Sequence, residues 1–427
     1  MLLERRGGHL IDEAMLRLIT SRPEVINLDG MRRFQPIIAS DFEVIMTGRS
    51  PKWIWQHPRW PQFTWDQAAL ATPLARARRA QGELLGMARL LDPKQDRAAQ
   101  LEVLTLEGLK TSAIEGEELD PKAVRSSLAR RLGLPTAAAP RPSRSIEGLA
   151  EVLLDATQGH GKPLTLKRLS RWQAALFPTG RSGLQEIRVG KLRGKAPMRI
   201  VSGPAGYERV HYEAPPQERL APEVRGFLKW FNTPPPGLDG LVRAGMAHAW
   251  FEIVHPFEDG NGRVGRALLD MALAQDEQRA IRLYSLSARF MDVRDEYYAA
   301  LERTSSGALD ITPWLVWFLV QAAAAIRSSE SIVEAVLTRT RFWMQHSRTE
   351  VNERQLKALA RMLDTLPQEF VGGMTNKKYA HLTGASPATA QRDLADLVSK
   401  GYLLLRGAGR AARYVLAGVP SQVSSNG

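Results

Sequence analysis

Residues 255 to 266 read HPFEDGNGRVGR, which crowds a histidine, two acids, two glycines around an asparagine and two arginines into one run. His255 can be neutral near pH 7 and take a proton from an attacking hydroxyl. Asp259, or its neighbour Glu258, suits Mg²⁺, which takes a carboxylate or two and fills its shell with phosphate oxygens and water. Gly260 and Gly262 flank Asn261 just before a helical run, where free backbone N–H groups and the positive helix end can cradle an anion. Arg263 and Arg266 lie three apart at the start of that helix, so both can lean over one face and bracket a polyphosphate. The set reads as phosphoryl-type transfer, with a base, a metal-holding acid, an anion cradle and charge clamps. Taken singly, each residue is as well explained by a buried histidine or a helix-surface salt bridge. Their concentration in one short run argues for chemistry.

The elements that must position this run are mostly helical. LVRAGMAHAWFEIV leads into it, and GRALLDMALAQ, RDEYYAALERT and ITPWLVWFLVQAAAAI follow, all with helical spacing of apolar residues. Upstream, Trp65 to Leu91 and LEVLTLEGLKTSAIEGE keep the same habit, and 147 to 180 predict two more helices. Four tryptophans, Trp53, Trp55, Trp60 and Trp65, punctuated by Pro58 and Pro61, predict a compact core-forming cap. PTAAAPRPSRS, residues 135 to 145, reads as an exposed linker. PMRIVSG and ERVHYEAPP alternate branched or aromatic residues with polar ones across GPAG, which predicts a β-hairpin. From about Val351 three helical stretches precede LLLRGAGRAARYVL, two short strands around a basic turn, and Ser386-Pro387 is a good helix start. Three helices then a hairpin is the winged helix-turn-helix order, a module that serves DNA or protein partners.

Composition narrows the class. A chain of 427 residues exceeds the usual single core and predicts two or three domains. The absence of cysteine excludes disulfides, thiolate metal sites and a cysteine nucleophile, and fits a reducing compartment. The opening segment has no signal-peptide core, and no run of about 18 apolar residues suggests a membrane span, so the expectation is a cytoplasmic protein with no membrane partner. A formal charge of +13 favours encounters with phosphates of any kind.

HPFEDGNGRVGR satisfies in full the signature HPFx[DE]GNGRxxR of the Fic family, and the chain resembles that family well beyond it. KWIWQHPRWPQFTWD, the hairpin, DITPW and the C-terminal winged helix look like one bacterial group of it, so the resemblance covers roughly Met46 to Leu416. It implies a mainly α fold: an extension at 1–45, unless the native start is Met46, a Trp-rich helical domain at 46–134, a Fic helical core at 146–330 with a β-hairpin flap at 198–211, and a winged helix at 331–427. It implies AMP transfer from ATP, with Mg²⁺, to a Ser, Thr or Tyr hydroxyl of a target protein, releasing pyrophosphate. His255 would be the base and Asp259 the metal ligand, while Asn261 and the amides around Gly260 and Gly262 would steady the α-phosphate. Arg263 would contact the phosphates and Arg266 the γ-phosphate. Met198, Ile200, Val201 and Val210 of the flap would dock the target as an added strand, and Tyr297 and Tyr298 are candidates for the adenosine wall.

TSAIEGE, residues 111 to 117, matches the family's inhibitory pattern [ST]xxxE[GN] through Thr111, Glu115 and Gly116. Thr111 and Glu115 lie four apart on one helix face, and Gly116 can release the chain. By the resemblance Glu115 would take Arg266 away from the γ-phosphate. Removal of AMP from a modified protein, and a nucleotide-sensing DNA-binding regulator, stay open as alternatives. Self-modification, a homodimer and DNA at the winged helix stay open as further partners.

Overall fold

The computed structural model describes residues 51–427 except 136–140, 203–206, 208, 347–349, 367–369, 371, 408 and 420–427. The expected extension at 1–45, the middle of the linker and the tip of the flap lie outside the described residues.

Behind the Trp-rich segment come α1 (Gln67–Ala88) and α2 (Pro93–Ile114), each starting on an aspartate. Asp66 accepts from Ala68 N at 2.8 Å; the Asp92 side chain accepts from Gln95 N at 2.9 Å while the Gln95 side chain accepts from Asp92 N at 2.8 Å. That reciprocal pair is a capping box, with Pro93 in the first turn where its missing N–H costs nothing. Then follow α3 (Pro121–Arg131), α4 (Arg144–Gln158) and α5 (Leu166–Leu176). A small hairpin of β1 (Arg181–Ser182) and β2 (Gln185–Glu186) was not signalled by periodicity, being too short to show any. β3 (Arg199–Ser202) and β4 (Arg209–Glu213) pair antiparallel where a hairpin is expected.

α6 (Gln217–Asn232), α7 (Gly240–Val254) and α8 (Asn261–Glu277) follow. α7 is apolar nearly all round, which leaves it no solvent face, and 13 of its residues are buried. α8 packs against it, so residues 255–260 are the turn of a tightly held helix pair. α9 (Leu286–Asp292), α10 (Arg294–Ser305) and α11 (Thr312–Gln345) complete this core. α11 runs for 34 residues, about 51 Å at 1.5 Å per residue. Trp314, Leu315 and Phe318 sit in the main core, whereas Phe342 belongs to a second one. The domain boundary expected at 330 therefore falls inside one unbroken helix. The second core is built by α12 (Glu353–Leu363), α13 (Asn376–Thr383), α14 (Pro387–Ser399), β5 (Leu403–Arg406) and β6 (Arg413–Leu416), around Leu359, Tyr379, Leu394 and Tyr402. Ser386 Oγ accepts from Thr389 N at 3.2 Å at the start of α14.

The tryptophans do more than fill space. Trp55 Nε1 donates to Glu213 O at 2.7 Å, and Trp53 meets Tyr212 edge-on at 5.4 Å, so the segment clamps the base of β4. Trp60 Nε1 donates to Glu223 at 2.8 Å and ties it to α6 as well. No helix among the described residues is long and apolar enough to cross a membrane.

Candidate active site

His255 ends α7 in the left-handed region at φ 48°, a conformation that costs a non-glycine residue about 1–3 kcal/mol unless its surroundings enforce it. The surroundings do. Arg193, 2% exposed, donates to His255 O at 2.8 Å through its Nε, and its backbone N–H to Pro256 O at 3.0 Å. Asn261 accepts from Phe257 N at 2.9 Å and donates to Phe257 O at 2.8 Å, so its amide is committed to shaping the loop. The resemblance gives Asn261, with the amides around Gly260 and Gly262, a share in the α-phosphate. In this conformation its side-chain amide braces the loop through Phe257 N and O.

The imidazole Nδ1 lies 3.3 Å from Glu252 O, which can only accept. Nδ1 therefore carries the proton and the Nε2 lone pair is left as the base. Burial pushes the His255 pKa down to about 4, so the ring is neutral at neutral pH. Burial likewise pushes the neighbouring Glu252 carboxyl up to about 8, against the pull of Arg266, and Glu252 Oε1 has no hydrogen-bond partner among the described residues.

α8 begins at Asn261 with Gly260 before it at φ 85°, so the first N–H groups of a buried helix point into the site. Arg266 is 2% exposed; its Nη2 donates to Glu115 Oε1 at 2.7 Å and to Thr111 O at 2.8 Å, and its Nε to Thr111 Oγ1 at 2.7 Å. Burial works to raise the Glu115 carboxyl, but the charge and hydrogen bond of Arg266, with the charge of Arg263, hold it below the ordinary carboxylate range. A Cβ on Gly262 would lie 2.2 Å from Glu115 Oε1, so only glycine lets the carboxylate reach over the helix start. Arg263 is taken too: its Nη1 donates to Glu117 at 2.8 Å while its guanidinium stacks 4.9 Å over Phe177.

Asp259 accepts from Gly260 N at 2.6 Å and from Ser182 Oγ, while Glu258 is spent holding Arg188 N at 2.8 Å and Gly194 N at 3.2 Å. One carboxylate beside a helix N-terminus, with no cluster of three ligating side chains among the described residues, fits a magnesium held mainly by phosphate oxygens and water.

What brings Glu115 here is the far end of the same face of α2. Glu107, 3% exposed, accepts from Ser285 Oγ at 2.7 Å, from Ser287 N at 3.1 Å and from Ser287 Oγ. Glu107, Thr111 and Glu115 are four apart in turn, so pinning the first aims the other two. Gly116, at φ 81°, then ends the helix, with Gly116 N bonded to Ala113 O and Glu117 N to Ser112 O, both at 3.0 Å: a Schellman closure.

These groups face a cavity of about 480 Å³. His255, Arg266 and Glu115 line one part of its wall, Tyr297 and Tyr298 another, with Ile200 of the flap beside them. Tyr297 is buried, bonded to His248 at 2.8 Å, and Tyr298 donates to Ile114 O at 3.1 Å, so it also touches the end of α2. Ile200 and Val201 are each 47% exposed, whereas Met198 and Val210 are half-buried.

Residues 163–273 match the Fic/DOC family, and residues 53–134 match a domain of unknown function, DUF4172. The chain carries a Fic/DOC-family domain. Over 97 residues it is 32% identical to a probable protein adenylyltransferase of Aquifex aeolicus (strain VF5), covering 22% of this chain and 28% of that protein. Over 111 residues it is 29% identical to the protein adenylyltransferase fic-1 of Caenorhabditis elegans, covering 26% and 20%. The matched stretches thus span less than a third of these relatives' lengths. A crystal structure of a Fic family protein from Desulfovibrio desulfuricans G20 shares the fold, with a TM-score of 0.50 and 21% identity over 85% of this chain and 99% of that one.

In this Fic domain the motif residues fall on one turn and one helix start. Several residues that hold them had no signal in the sequence: Arg193, Ser182, Glu107 and Glu252 stand alone there, without a pattern. Glu117 did have one, since it lies two residues beyond Glu115 in a segment already singled out.

Proposed function

We propose that the protein transfers AMP from ATP to a hydroxyl of a target protein, and that Glu115 inhibits it by pairing with Arg266. The observation that carries this reading is the 2.7 Å contact between Glu115 and Arg266 at the start of α8, beside a neutral His255. His255 Nε2 takes the proton of the acceptor hydroxyl. The oxygen forms a bond to the α-phosphorus, and the bond from that phosphorus to the bridging oxygen breaks, releasing pyrophosphate. The backbone amides of Gly260 to Gly262 bind the phosphates, and Arg263 and Arg266, once released from Glu117 and Glu115, clamp the leaving group. Asp259 would hold Mg²⁺, which when bound neutralises charge on the phosphates. The exposed side chains of Ile200 and Val201 support a docking role for the flap, where a target segment adds as a strand.

The test is labelled ATP with Mg²⁺ and purified protein. The Glu115→Gly variant should label itself more than the wild type and release pyrophosphate, and His255→Ala should cut that label. A Glu115→Gly protein that neither gains label nor releases pyrophosphate sinks the reading.

A further inference from the structure

The flap carries a hydrogen-bond chain that the proposed reaction does not use. Ser202 Oγ lies 2.5 Å from His211 Nε2, and His211 Nδ1 lies 2.8 Å from Glu302 Oε1. Glu302 also faces Arg209 at 3.8 Å, which suits a carboxylate that accepts. With Nδ1–H donating to Glu302, the Nε2 lone pair of His211 faces the serine hydroxyl. That is the arrangement of an activated nucleophile: hydroxyl, base, and a third group orienting the base.

The backbone explains the aim. Ile200 pairs with Tyr212 but Val201 with Val210, so β4 carries one extra residue at this point, and the residue skipped is His211. A bulge turns the side chain of the residue it leaves unpaired. His211, Glu302 and Ile200 all line the cavity that holds His255 and Arg266, and Ser202 lies two residues beyond Ile200 on the same strand. Ser202 itself is exposed.

We propose that Ser202 is an AMP acceptor on the flap itself, activated by its own base, His211, which Glu302 orients. The inference rests on the AMP-transfer reading. The Ser202 proton passes to His211 Nε2, the Ser202 oxygen bonds to the α-phosphorus of ATP, and pyrophosphate leaves, so the product is a phosphodiester between Ser202 and AMP. An AMP on the flap would cover the strand that a target segment is expected to use.

Intact mass and peptide mapping of the Glu115→Gly protein, incubated with ATP and Mg²⁺, test this. Label is expected on the peptide containing Ser202. Ser202→Ala should remove it and Ser202→Thr should retain it. His211→Gln should slow labelling of Ser202 by roughly a hundredfold or more, the usual worth of a general base, without slowing label at other hydroxyls. Since His211 is the base, His255→Ala should cut the label at other hydroxyls, and the part of the self-label that remains should lie on Ser202. Label confined to other residues, or label on Ser202 indifferent to His211→Gln, overturns the proposal while leaving AMP transfer standing. Absence of both label and pyrophosphate release overturns the two together. Ser202 is exposed, so equal melting temperatures of Ser202→Ala and its parent would show that lost label is not lost fold.

Discussion

Arg266 and Glu115, 151 residues apart in the chain, meet at 2.7 Å over the first turn of α8, with the arginine 2% exposed. A guanidinium in that position, its Nε already spent on Thr111, cannot serve the carboxylate and a γ-phosphate at full strength together. On the proposed AMP-transfer reading the contact is a competition for one side chain.

Breaking it sets the first expectation. Glu115→Gly should raise self-labelling by about 5–150-fold, the range of typical coupling between two sites, and should tighten ATP binding in a calorimetric titration. Thr111→Val, which removes one acceptor from Arg266 but leaves the carboxylate, should give a smaller gain.

Glu117 offers a second and weaker hold. Its side chain is 40% exposed against 10% for Arg263, and exposed pairs contribute roughly 0.2–1 kcal/mol. Glu117→Gln should raise the labelling rate by a few-fold at most, and the gain should shrink at high salt. A rise as large as that of Glu115→Gly would show the ranking to be wrong.

Asn261 is expected to act through the loop it braces. Asn261→Ala leaves the Phe257 N–H and C=O without their partner in a buried place, which costs about 1–3 kcal/mol. The melting temperature should fall, and kcat should fall with it in the Glu115→Gly background because His255 loses its aim. Asn261→Asp restores the acceptor but not the donor, and should lie between the two.

The pH dependence follows from His255. Burial lowers its pKa from 6.5 to about 4, so the base form exists across the neutral range and is lost only as the pH falls through the lowered value. The negative charge of Glu115 raises that pKa, so removing Glu115 pushes it lower still. In a kcat/KM profile of Glu115→Gly between about pH 5 and 8, no acid limb should appear near 6.5. The latch behaves in the same direction: Glu115 is held below its ordinary 4.5, so its pairing with Arg266 is complete above 4.5 and is lost only as the pH falls through the lowered value.

The sequence by itself determined which candidate groups lie together and most of the helices. HPFEDGNGRVGR puts a base, an acid, glycines and arginines within one turn and the next helix's first turns, so their proximity follows from chain connectivity. Glu115 was legible for the same kind of reason, as part of a local pattern with Thr111 and Gly116. Helix starts such as Asp92 to Gln95 and Ser386-Pro387 are local too, and capping chemistry reads them directly.

Only the tertiary structure decided which side chains are spent and on what. Asn261 could serve a phosphate or brace a loop, and the tertiary structure shows its side-chain amide paired with the backbone of Phe257. Arg193, 62 residues before His255, and Glu107, 178 residues before Ser285, act across distances at which the sequence carries no periodic signal. The domain boundary expected at 330 lies inside a continuous helix, because a helix can leave one core and enter another without any break in its own hydrogen bonds. His211 is the plainest case: its aim depends on a bulge, which is a mismatch between two strands and belongs to neither of them alone.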